Sequence, residues 1–325
     1  MSATQLTEYR TAESVSPKHP DKLCDQISDA ILDAHLAEDP FARVAVDVAG
    51  GHGKVFVTGE VTSKAVNVDV KEIVRRIAGD VEVIEHIAEQ SAEIAAGVDT
   101  GGAGDQGIMV GYATRETPEM LPLEVVLSRS LNQFLFDRWP YDGKTQVTVK
   151  NGEMQSIVAS FQNVPKKELE EAVGSWTKTK TSSTLELHIN PAGDWKQGGF
   201  DADAGLTGRK LAVDSYGPRI AMGGGAFSGK DPSKVDRSAA YMARRIAVDY
   251  LRQRPNANEV YARLAYAIGV AKPLEATVII DGVAELVQGY DLTPNGIITA
   301  LNLRRPIYEQ TARYGHFGHS FDWEK

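Results

Sequence analysis

Residues 223–238 form the stretch of this chain whose residue types and spacing best suit a polyphosphate. They read Gly-Gly-Gly-Ala-Phe-Ser-Gly-Lys-Asp-Pro-Ser-Lys-Val-Asp-Arg-Ser. The glycines allow backbone N–H groups to approach an anion closely. Asp231-Pro232 predicts a helix start directly after them, because Asp is a good N-cap and Pro fits the first helical position. A glycine loop that leads into a helix N-terminus favours phosphate.

The charged residues of the same stretch support this interpretation. Lys230, Lys234 and Arg237 bring positive charge to it, and Asp236 is a candidate metal ligand. The spacing satisfies the P-loop pattern up to Lys230, but Asp231 follows where a P-loop requires Ser or Thr to hold Mg²⁺. The P-loop interpretation is therefore disfavoured. A glycine-rich turn with solvated lysines stays open as the alternative.

A second group of chemically active residues lies near the N-terminus, where residues 14–25 read Ser-Val-Ser-Pro-Lys-His-Pro-Asp-Lys-Leu-Cys-Asp. His19, Asp21 and Lys22 stand at the predicted start of a helix, where N–H groups and the helix dipole favour an anion. Asp21 could ligate Mg²⁺ that bridges phosphates. Lys22 could contact phosphates directly, and His19 could donate a hydrogen bond to a leaving oxygen or a sugar oxygen. Taken singly, Asp21 and His19 are better explained as structural residues, and the pairing of this group with the glycine-rich stretch is what favours a functional role.

The composition is that of an ordinary globular protein. An acidic chain with a local cluster of lysines and arginines suits a small anionic ligand. The 325 residues predict two or three domains. The formal charge of −9 argues against nucleic acid and anionic membranes as general partners. The single cysteine, Cys24, excludes an internal disulfide and fits a reducing compartment. No apolar run has the length of a membrane span and no signal peptide is evident, so we expect a cytoplasmic protein.

Helices and strands alternate along the chain without the regular period of a Rossmann sheet, so the expected class is α+β or mixed α/β. Apolar residues at three- and four-residue steps predict helices, and alternating or continuous apolar runs predict strands, two pairs of which flank hairpin turns at 50–53 and 151–152. The expected helices are 20–38, 69–78, 82–95, 121–137, 232–253 and 293–303. The expected strands are 43–48, 54–62, 146–150, 154–161, 185–189, 211–216, 263–270 and 276–280.

Several motifs resemble those of the S-adenosylmethionine synthetase family, also called methionine adenosyltransferases. The two stretches described above match it, and further matches follow in family order over nearly the whole chain. The matching segments are Ser-Val-Ser-x-x-His-Pro-Asp-Lys (14–22), Gly-Ala-Gly-Asp-Gln-Gly (102–107), Gly-Leu-Thr-Gly-Arg-Lys (205–210), the glycine-rich stretch 223–238, Tyr-Gly-His-Phe-Gly (314–318) and Trp-Glu-Lys (323–325).

The resemblance implies that ATP and L-methionine are joined. The methionine sulfur attacks C5′ of ATP and expels triphosphate, which is cleaved to pyrophosphate and phosphate. A thioether needs no base, so catalysis must come from alignment and from stabilising charge on the departing triphosphate. The implied catalytic residues are His19, Lys144, Arg209 and Lys230, and the implied ATP contacts are His19, Lys22, Lys144, Asp203, Arg209, Lys210, Lys230 and Trp195.

The same resemblance implies a methionine site and metal sites. Glu60 would bind the amino group of methionine and Lys234 its carboxylate, with Gln90 and Asp105 completing the set. Asp21 and Asp236 resemble the ligands of two Mg²⁺ ions. Asp47 stands where the family has a glutamate that binds K⁺, and the shorter side chain implies weakened or absent potassium activation.

For the architecture, the resemblance implies three similar α+β domains around a pseudo-threefold axis, partly interleaved in sequence. The expected domains are N-terminal (1–98), central (99–197) and C-terminal (198–325). It also implies an obligate homodimer with active sites at the subunit interface, where the glycine loop and the triphosphate clamp come from different chains, or a dimer of such dimers. We expect the dimer, because the chain is trimmed relative to familiar bacterial members.

This chain departs from the family pattern at a few places. The stretch 90–102, which corresponds to the loop that gates the site, is shortened. Pro17-Lys18 replaces the usual Glu-Gly before His19. Trp195 replaces a phenylalanine near the adenine, which should preserve stacking. Two alternatives stay open: a triphosphate hydrolase, or a regulatory subunit, that has lost methionine binding.

Overall fold

The structure, a computed structural model, describes residues 9–90, 101–181 and 184–325. Helices and strands alternate along this part of the chain, with two short 3₁₀ turns at Gly199–Asp201 and Asp322–Glu324. The helices are α1 (Pro20–Glu38), α2 (Val70–Ala78), α3 (Leu123–Arg138), α4 (Lys166–Lys178), α5 (Leu211–Asp214), α6 (Val235–Gln253), α7 (Pro294–Ala300) and α8 (Thr311–Tyr314).

The strands form three four-stranded sheets. We call them the first sheet (β4-β3-β2-β9), the second sheet (β1-β6-β7-β8) and the third sheet (β12-β11-β10-β5). The strands are β1 (Tyr9–Val15), β2 (Arg43–Gly51), β3 (Lys54–Thr62), β4 (Glu82–Ala88), β5 (Gly107–Thr114), β6 (Gly143–Lys150), β7 (Glu153–Phe161), β8 (Glu186–Ile189), β9 (Gly205–Leu206), β10 (Glu259–Tyr266), β11 (Glu275–Ile280) and β12 (Val283–Leu286).

Each sheet includes one strand from a distant part of the sequence. Strand β1 pairs with β6 in the second sheet. Strand β5 pairs with β10 in the third sheet. The two-residue strand β9 pairs with β2 at Ala49 and Gly50 in the first sheet. The pairing of β9 with β2 brings the residues around β9 against the start of helix α1, where the Leu206 N–H donates to Asp21.

Helix α1 forms because its sequence supplies both a start and an apolar face. His19 is the N-cap residue, Pro20 occupies the first helical position, and the buried Leu23, Ile27 and Ile31 recur every four residues. That face packs in one core with the inward valines of β2, and helix α6 belongs to the same core with the third sheet. A second core lies between the second sheet and helices α3 and α4.

The structure confirms most predicted elements, shifts the predicted strand 263–270 to β10 (Glu259–Tyr266) and corrects three others. The Asn151-Gly152 hairpin is present, with both turn residues at positive φ as a type I′ turn requires. Residues 82–88 of the predicted helix 82–95 form strand β4 instead, parallel to β3, and residues 91–95 lie outside the described residues. The predicted strand 211–216 is the short helix α5, whose Leu211 and Asp214 face inward.

The third correction concerns the predicted helix at 232. Helix α6 begins at Val235, with Lys234 as its N-cap residue. Asp231 and Pro232 lie in the preceding turn, where the Asp231 carboxylate accepts a hydrogen bond from the Ser233 N–H at 2.8 Å. Among the described residues, no helix combines the length and the apolar character that spanning a membrane requires.

Candidate active site

The first group of candidate residues gathers at the start of helix α1. Asp21 is fully buried and accepts hydrogen bonds from the Leu206 N–H at 3.0 Å and from Lys210 Nζ at 2.5 Å. Arg209 Nε lies 3.2 Å from the same carboxylate. Burial alone would raise the pKa of Asp21, but the hydrogen bonds from Lys210 and Leu206 outweigh it and lower the pKa. We call His19, Asp21, Arg209 and Lys210 the helix-start cluster.

His19 is held as a neutral imidazole with a defined tautomer. Its Nδ1 accepts the Asp21 N–H at 3.2 Å, so the ring proton is on Nε2. Burial first, and then the positive charges of Lys210 and Lys144, lower the pKa of His19 to about 4. The imidazole is therefore neutral at pH 7 and has one N–H free to donate.

Two of the three further predicted ATP residues, Lys144 and Asp203, lie near this cluster. Lys144, at the start of β6, is half-exposed, and its Nζ lies 3.9 Å from Glu13. Asp203 is exposed and accepts the Ala204 N–H at 2.7 Å. Both charges act on the pKa of His19, so both are close to it. Trp195 is half-buried, and its carbonyl accepts the Asn163 N–H at 2.9 Å.

Two of the predicted cations, Lys22 and Arg237, are buried away from solvent. Lys22 is fully buried, with its Nζ 3.0 Å from Asp25 and 2.5 Å from Asp214. Arg237 is also fully buried and makes an ion pair with Asp29 at 2.6 Å. Because each is enclosed and neutralised by carboxylates, neither has a donor directed at a ligand. The sequence-based interpretation of Lys22 as a phosphate contact, and of Arg237 as part of the phosphate-binding charge, has no support in this geometry.

The second group of candidate residues lies along the glycine-rich loop. Lys230 Nζ is 2.7 Å from Asp236, and Lys234 Nζ bonds Asp231. The buried Asp231 also accepts the Val44 N–H at 2.8 Å, which ties the loop to β2. We call Lys230, Asp231, Lys234 and Asp236 the glycine-loop cluster.

The glycines of this loop are required by close packing. A Cβ at Gly225 would lie 2.3 Å from the Asp236 carboxylate, and one at Gly223 would lie 1.5 Å from the Ile108 carbonyl oxygen. Gly229 has a φ of +81°, a conformation that side chains disfavour, and a Cβ there would lie 2.0 Å from the Val46 carbonyl oxygen. The loop therefore brings backbone and carboxylate together at a distance that no larger residue permits.

The loops that carry the two clusters lie side by side. Along the same edge of β2, Thr207 pairs with Val48 and Gly229 with Val46, each through a backbone hydrogen bond of 3.0 Å. Two residues of strand correspond to about 7 Å. The loops also touch, because a Cβ at Gly208 would lie 2.6 Å from the Cβ of Ala226.

The predicted methionine residues gather near the glycine-loop cluster. Ala45 pairs with Glu60 on one side and with Lys230 on the other, so the exposed Glu60 lies two strand spacings, about 10 Å, from Lys230. Gln90 follows β4, and its buried Oε1 has no hydrogen-bond partner among the described residues. Asp105 is exposed and lies just before Gly107, whose Cβ position is 3.2 Å from Asp236.

The predicted metal ligands Asp21, Asp236 and Asp47 are carboxylates on three different elements, α1, α6 and β2. Within residues 9–90, 101–181 and 184–325, no group of three or more His, Cys, Asp or Glu side chains is arranged to hold a metal ion. Mg²⁺ at phosphate sites commonly takes only one or two carboxylates together with phosphate oxygens and water. Asp21 and Asp236 each supply one carboxylate beside a lysine, which fits that donor set. Asp47 is exposed on β2, paired with Thr58, and Thr58 is paired with His86 on the far side.

Comparison with known proteins identifies the family. Three family models match the chain in order: the S-adenosylmethionine synthetase N-terminal domain at residues 7–99, the central domain at 100–195 and the C-terminal domain at 197–325. The S-adenosylmethionine synthase of Salinibacter ruber is 43% identical, with 97% of this chain and 95% of that protein covered. The synthases of Clostridium tetani and Brachyspira hyodysenteriae are both 41% identical, with coverage of 97% and 98% of this chain and of 96% and 95% of those proteins. The family and the enzyme class predicted from the motifs are thereby confirmed, and the chain belongs to the S-adenosylmethionine synthetase family, the methionine adenosyltransferases.

Proposed function

We propose that this chain makes S-adenosylmethionine from ATP and L-methionine at a site built from the helix-start and glycine-loop clusters. The observation that carries the proposal is the helix-start cluster itself. There, one buried carboxylate is shared by Arg209 and Lys210, and a neutral histidine with a free N–H lies beside it. Such a group of donors suits the triphosphate of ATP and the oxygen that leaves C5′.

In the proposed reaction the methionine sulfur forms a bond to C5′ while the C5′–O bond breaks. The electron pair of that bond leaves with the triphosphate, and the sulfur becomes a sulfonium. The Nε2–H of His19 donates to the departing oxygen. One water molecule then cleaves the bound triphosphate to pyrophosphate and phosphate.

Arg209, Lys210, Lys144 and Lys230 bind the triphosphate. Lys210 and Lys230 are paired with Asp21 and Asp236 in the free chain, at 2.5 and 2.7 Å. When ATP binds, the two lysines turn to phosphate oxygens, and the carboxylates of Asp21 and Asp236 would then be free to hold the divalent metal. We propose two Mg²⁺ per site, which supply positive charge to the phosphates when bound. Lys22 supports the loop after β9 through Asp25 and Asp214 and makes no phosphate contact.

The remaining contacts follow from the positions of the other candidates. Trp195 stacks on the adenine, and Asp203, beside His19, contacts the ribose and adenosine. Glu60 binds the amino group of methionine, and Lys234 turns from Asp231 to bind its carboxylate. Gln90 and Asp105 complete the methionine site; the unpartnered Oε1 of Gln90 supports this role, since a buried acceptor without a partner is costly. We retain Asp47 as a weak K⁺ ligand.

We further propose a homodimer in which the first and third sheets face the partner. On the first sheet Ile84, Phe56 and Leu206 lie in one row across the strands, 40%, 46% and 45% exposed, with Ala49 between the last two. Ile108 of the third sheet is 57% exposed. Contiguous exposed apolar residues of this kind mark interaction surfaces. Light scattering should give twice the chain mass of 35.2 kDa, and a tetrameric mass would refute the dimer.

For the architecture, we propose three similar domains at 1–98, 99–197 and 198–325, related by a pseudo-threefold axis and partly interleaved. The family-model matches, which change over near these boundaries, support the division. The exchange of β1, β5 and β9 among the sheets supports the interleaving. A reducing compartment such as the cytoplasm fits the single buried Cys24.

The first experiment combines purified protein, ATP, Mg²⁺ and L-methionine, with and without K⁺. S-adenosylmethionine, pyrophosphate and phosphate are quantified together. Equal yields of the three products are expected, because one turnover releases one of each. Phosphate release without S-adenosylmethionine would instead indicate a triphosphate hydrolase and refute the proposed synthesis.

A further inference from the structure

The C-terminal motif Tyr-Gly-His-Phe-Gly (314–318) contains no residue of either cluster, so the proposed function gives it no role. The motif packs against the end of helix α5, which directly follows the two cations of the helix-start cluster along the chain. The His316 N–H donates to the Asp214 carbonyl at 2.9 Å. At Gly315 the φ is +92°, and a Cβ there would lie 2.5 Å from the same carbonyl oxygen. Because only glycine permits this approach, the contact with Asp214 depends on the sequence of the motif.

The motif is itself held by buried side chains. Trp323 Nε1 donates to the His316 carbonyl at 2.7 Å, and the Tyr241 hydroxyl lies 2.9 Å from His316 Nδ1. Arg129 Nη1 donates to the Phe317 carbonyl at 2.6 Å. All five residues are buried, and the three partners come from α6, α3 and the last 3₁₀ turn. Hydrogen bonds shielded from water on three sides make the motif a rigid support for Asp214.

Asp214 connects this support to the helix-start cluster through both its backbone and its side chain. The residue is 4% exposed, and its N–H donates to the Lys210 carbonyl at 2.9 Å. Its Oδ2 accepts from Lys22 Nζ at 2.5 Å. Lys22 directly follows Asp21, the carboxylate that Lys210 binds. Both connections of Asp214 therefore lead to Lys210 or to the turn of helix that holds the partner of Lys210.

Lys22 also reaches the other end of the segment that carries Arg209 and Lys210. Its Nζ lies 3.0 Å from Asp25 Oδ2, and Asp25 Oδ1 accepts the Gly208 N–H at 2.8 Å. The segment is thus held at the Gly208 N–H and at the Lys210 carbonyl. One fully buried ammonium connects the two aspartates that hold these ends.

We propose that Asp214 is a positioning residue for Arg209 and Lys210, and that the motif 314–318 keeps it in place. The Arg209 side chain is 52% exposed, so its direction depends on its backbone more than on packing. Donors that are fixed before the anion arrives need no reorganisation as charge develops on the phosphates. The inference concerns the helix-start cluster alone. It rests on the proposed function, because it assigns the rigidity of the segment to the binding of triphosphate by Arg209 and Lys210.

The first test compares Asp214→Asn with wild type and with Asp249→Asn, with rates expressed per folded molecule from circular dichroism. Asp249 is a partly buried carboxylate paired with Arg245 at 2.7 Å, 13 residues beyond Asp236 on helix α6, and serves as the matched control. We expect kcat for S-adenosylmethionine to fall about 10- to 100-fold in Asp214→Asn, since a displacement of up to about 1 Å costs that much. The KM for methionine should change less than about threefold, because the proposed methionine residues lie on other elements. Cleavage of added inorganic tripolyphosphate should fall in parallel, and Asp249→Asn should keep the wild-type values.

The second test moves Asp214 without changing it. Gly315→Ala places a Cβ against the Asp214 carbonyl, whereas Gly289→Ala places one in open space. Both glycines have a positive φ, +92° and +85°, so both variants carry a similar backbone strain. We expect the same loss of kcat at unchanged KM for methionine in Gly315→Ala, and wild-type kinetics in Gly289→Ala.

The outcomes separate this inference from the proposed function. Inactive wild-type protein would overturn the function. Active wild type with Asp214→Asn matching Asp249→Asn, or with Gly315→Ala matching Gly289→Ala, would overturn the positioning role alone. If Asp214→Asn does not fold, Lys22→Met with Asp214→Asn removes both charges of the pair, which a buried site tolerates better than the loss of one. The double variant should show the same fall in kcat, and a wild-type kcat would overturn the inference.

Discussion

The helix-start and glycine-loop clusters contain the same kinds of residue in different charge ratios. In the helix-start cluster, Arg209 and Lys210 share the single carboxylate of Asp21. In the glycine-loop cluster, Lys230 and Lys234 each have a carboxylate of their own, Asp236 and Asp231. The first cluster therefore has a net positive charge, because two cations share one carboxylate, which stays ionised since the pKa of Asp21 is lowered. The second cluster is neutral overall.

This difference indicates what each cluster can bind. An excess of cations attracts an anion directly, because the anion meets a net positive charge. A neutral set of ion pairs attracts little until its partners are separated. Lys230 and Lys234 are thus available to a ligand that brings a replacement partner for each carboxylate, such as a metal ion for Asp236 or an ammonium group nearby. We interpret the first cluster as the main triphosphate site and the second as the place where triphosphate and methionine meet.

The largest expected effect comes from removing Lys230, the residue of the glycine-loop cluster that we propose binds the triphosphate. Lys230→Met should lower kcat about 10³-fold, at the upper end of what one preorganised donor contributes to a transition state. Lys230 is partly exposed, so folding should be retained. Steady-state synthesis at saturating ATP and methionine measures the effect. Lys54→Met removes a lysine paired with Glu82 at 3.0 Å on the first sheet and should keep full activity. Retained synthesis in Lys230→Met would contradict the assignment of Lys230.

Removing Lys234, the residue of the same cluster that we propose binds the methionine carboxylate, should affect a different kinetic parameter. Lys234→Met should raise the KM for methionine about 10- to 100-fold, which corresponds to one charge-assisted hydrogen bond. The kcat at saturating methionine should change much less, because the carboxylate contact is the same in substrate and transition state. Initial rates at varied methionine and fixed ATP separate the two parameters. A fall in kcat at unchanged KM would instead make Lys234 part of the phosphate site.

Local sequence predicted the parts of this site that depend on local chemistry. His19-Pro20 gave the start of α1, and Asn151-Gly152 gave a hairpin, because capping and turn preferences act between neighbours. Segment 82–88 was predicted as a helix, yet it forms a strand because β3 offers an edge for parallel pairing. That edge belongs to a different part of the chain, and the local pattern contains no information about it.

The same limit applies to two of the predicted cations. Lys22 and Arg237 stand within motifs predicted to bind phosphate, but their partners are Asp214 and Asp29, far away in sequence. A motif identifies a cation without indicating whether it faces a ligand or a buried carboxylate. The four-residue spacing of aspartates along 21–33 was the available signal, because a stripe of carboxylates on a buried helix face must be compensated by cations or N–H groups.

A smaller effect concerns His19 and tests the electrostatics of the helix-start cluster. The folded pKa of about 4 lies below the unfolded value of 6.5, so between these values only the unfolded chain binds the proton. Stability is therefore fully present above pH 6.5 and is lost as the pH falls. At pH 5 wild type should lose about 2 kcal/mol more than His19→Asn, relative to pH 8. Asparagine keeps the N-cap, and chemical unfolding at the two pH values gives the difference.

Other groups titrate in the same range with the opposite sign. Burial raises the pKa of Asp25 and of Asp33 to about 6, so their contributions favour the folded state as the pH falls from 6. These contributions are common to wild type and His19→Asn and cancel in the comparison. An equal loss of stability in both proteins would show that neither burial nor the cations of the cluster lower the pKa of His19 in the folded chain.

The smallest expected effect lies outside both clusters, at Asp47. This side chain is exposed on β2, with Thr58 and then His86 in the same row of the first sheet, so it offers one carboxylate and few other oxygen ligands. A single exposed carboxylate binds a monovalent cation weakly, because the high dielectric constant of the surrounding water weakens the attraction between the two charges. Potassium should therefore change the rate of S-adenosylmethionine synthesis by less than about twofold, and Asp47→Asn should abolish even that. Asp47→Glu, which restores the longer side chain that the resemblance implies at this position, should increase the response of the rate to K⁺. Rates at constant ionic strength with K⁺ or with a bulky organic cation measure the ratio, and a strong K⁺ response that survives in Asp47→Asn would assign the ion to another site.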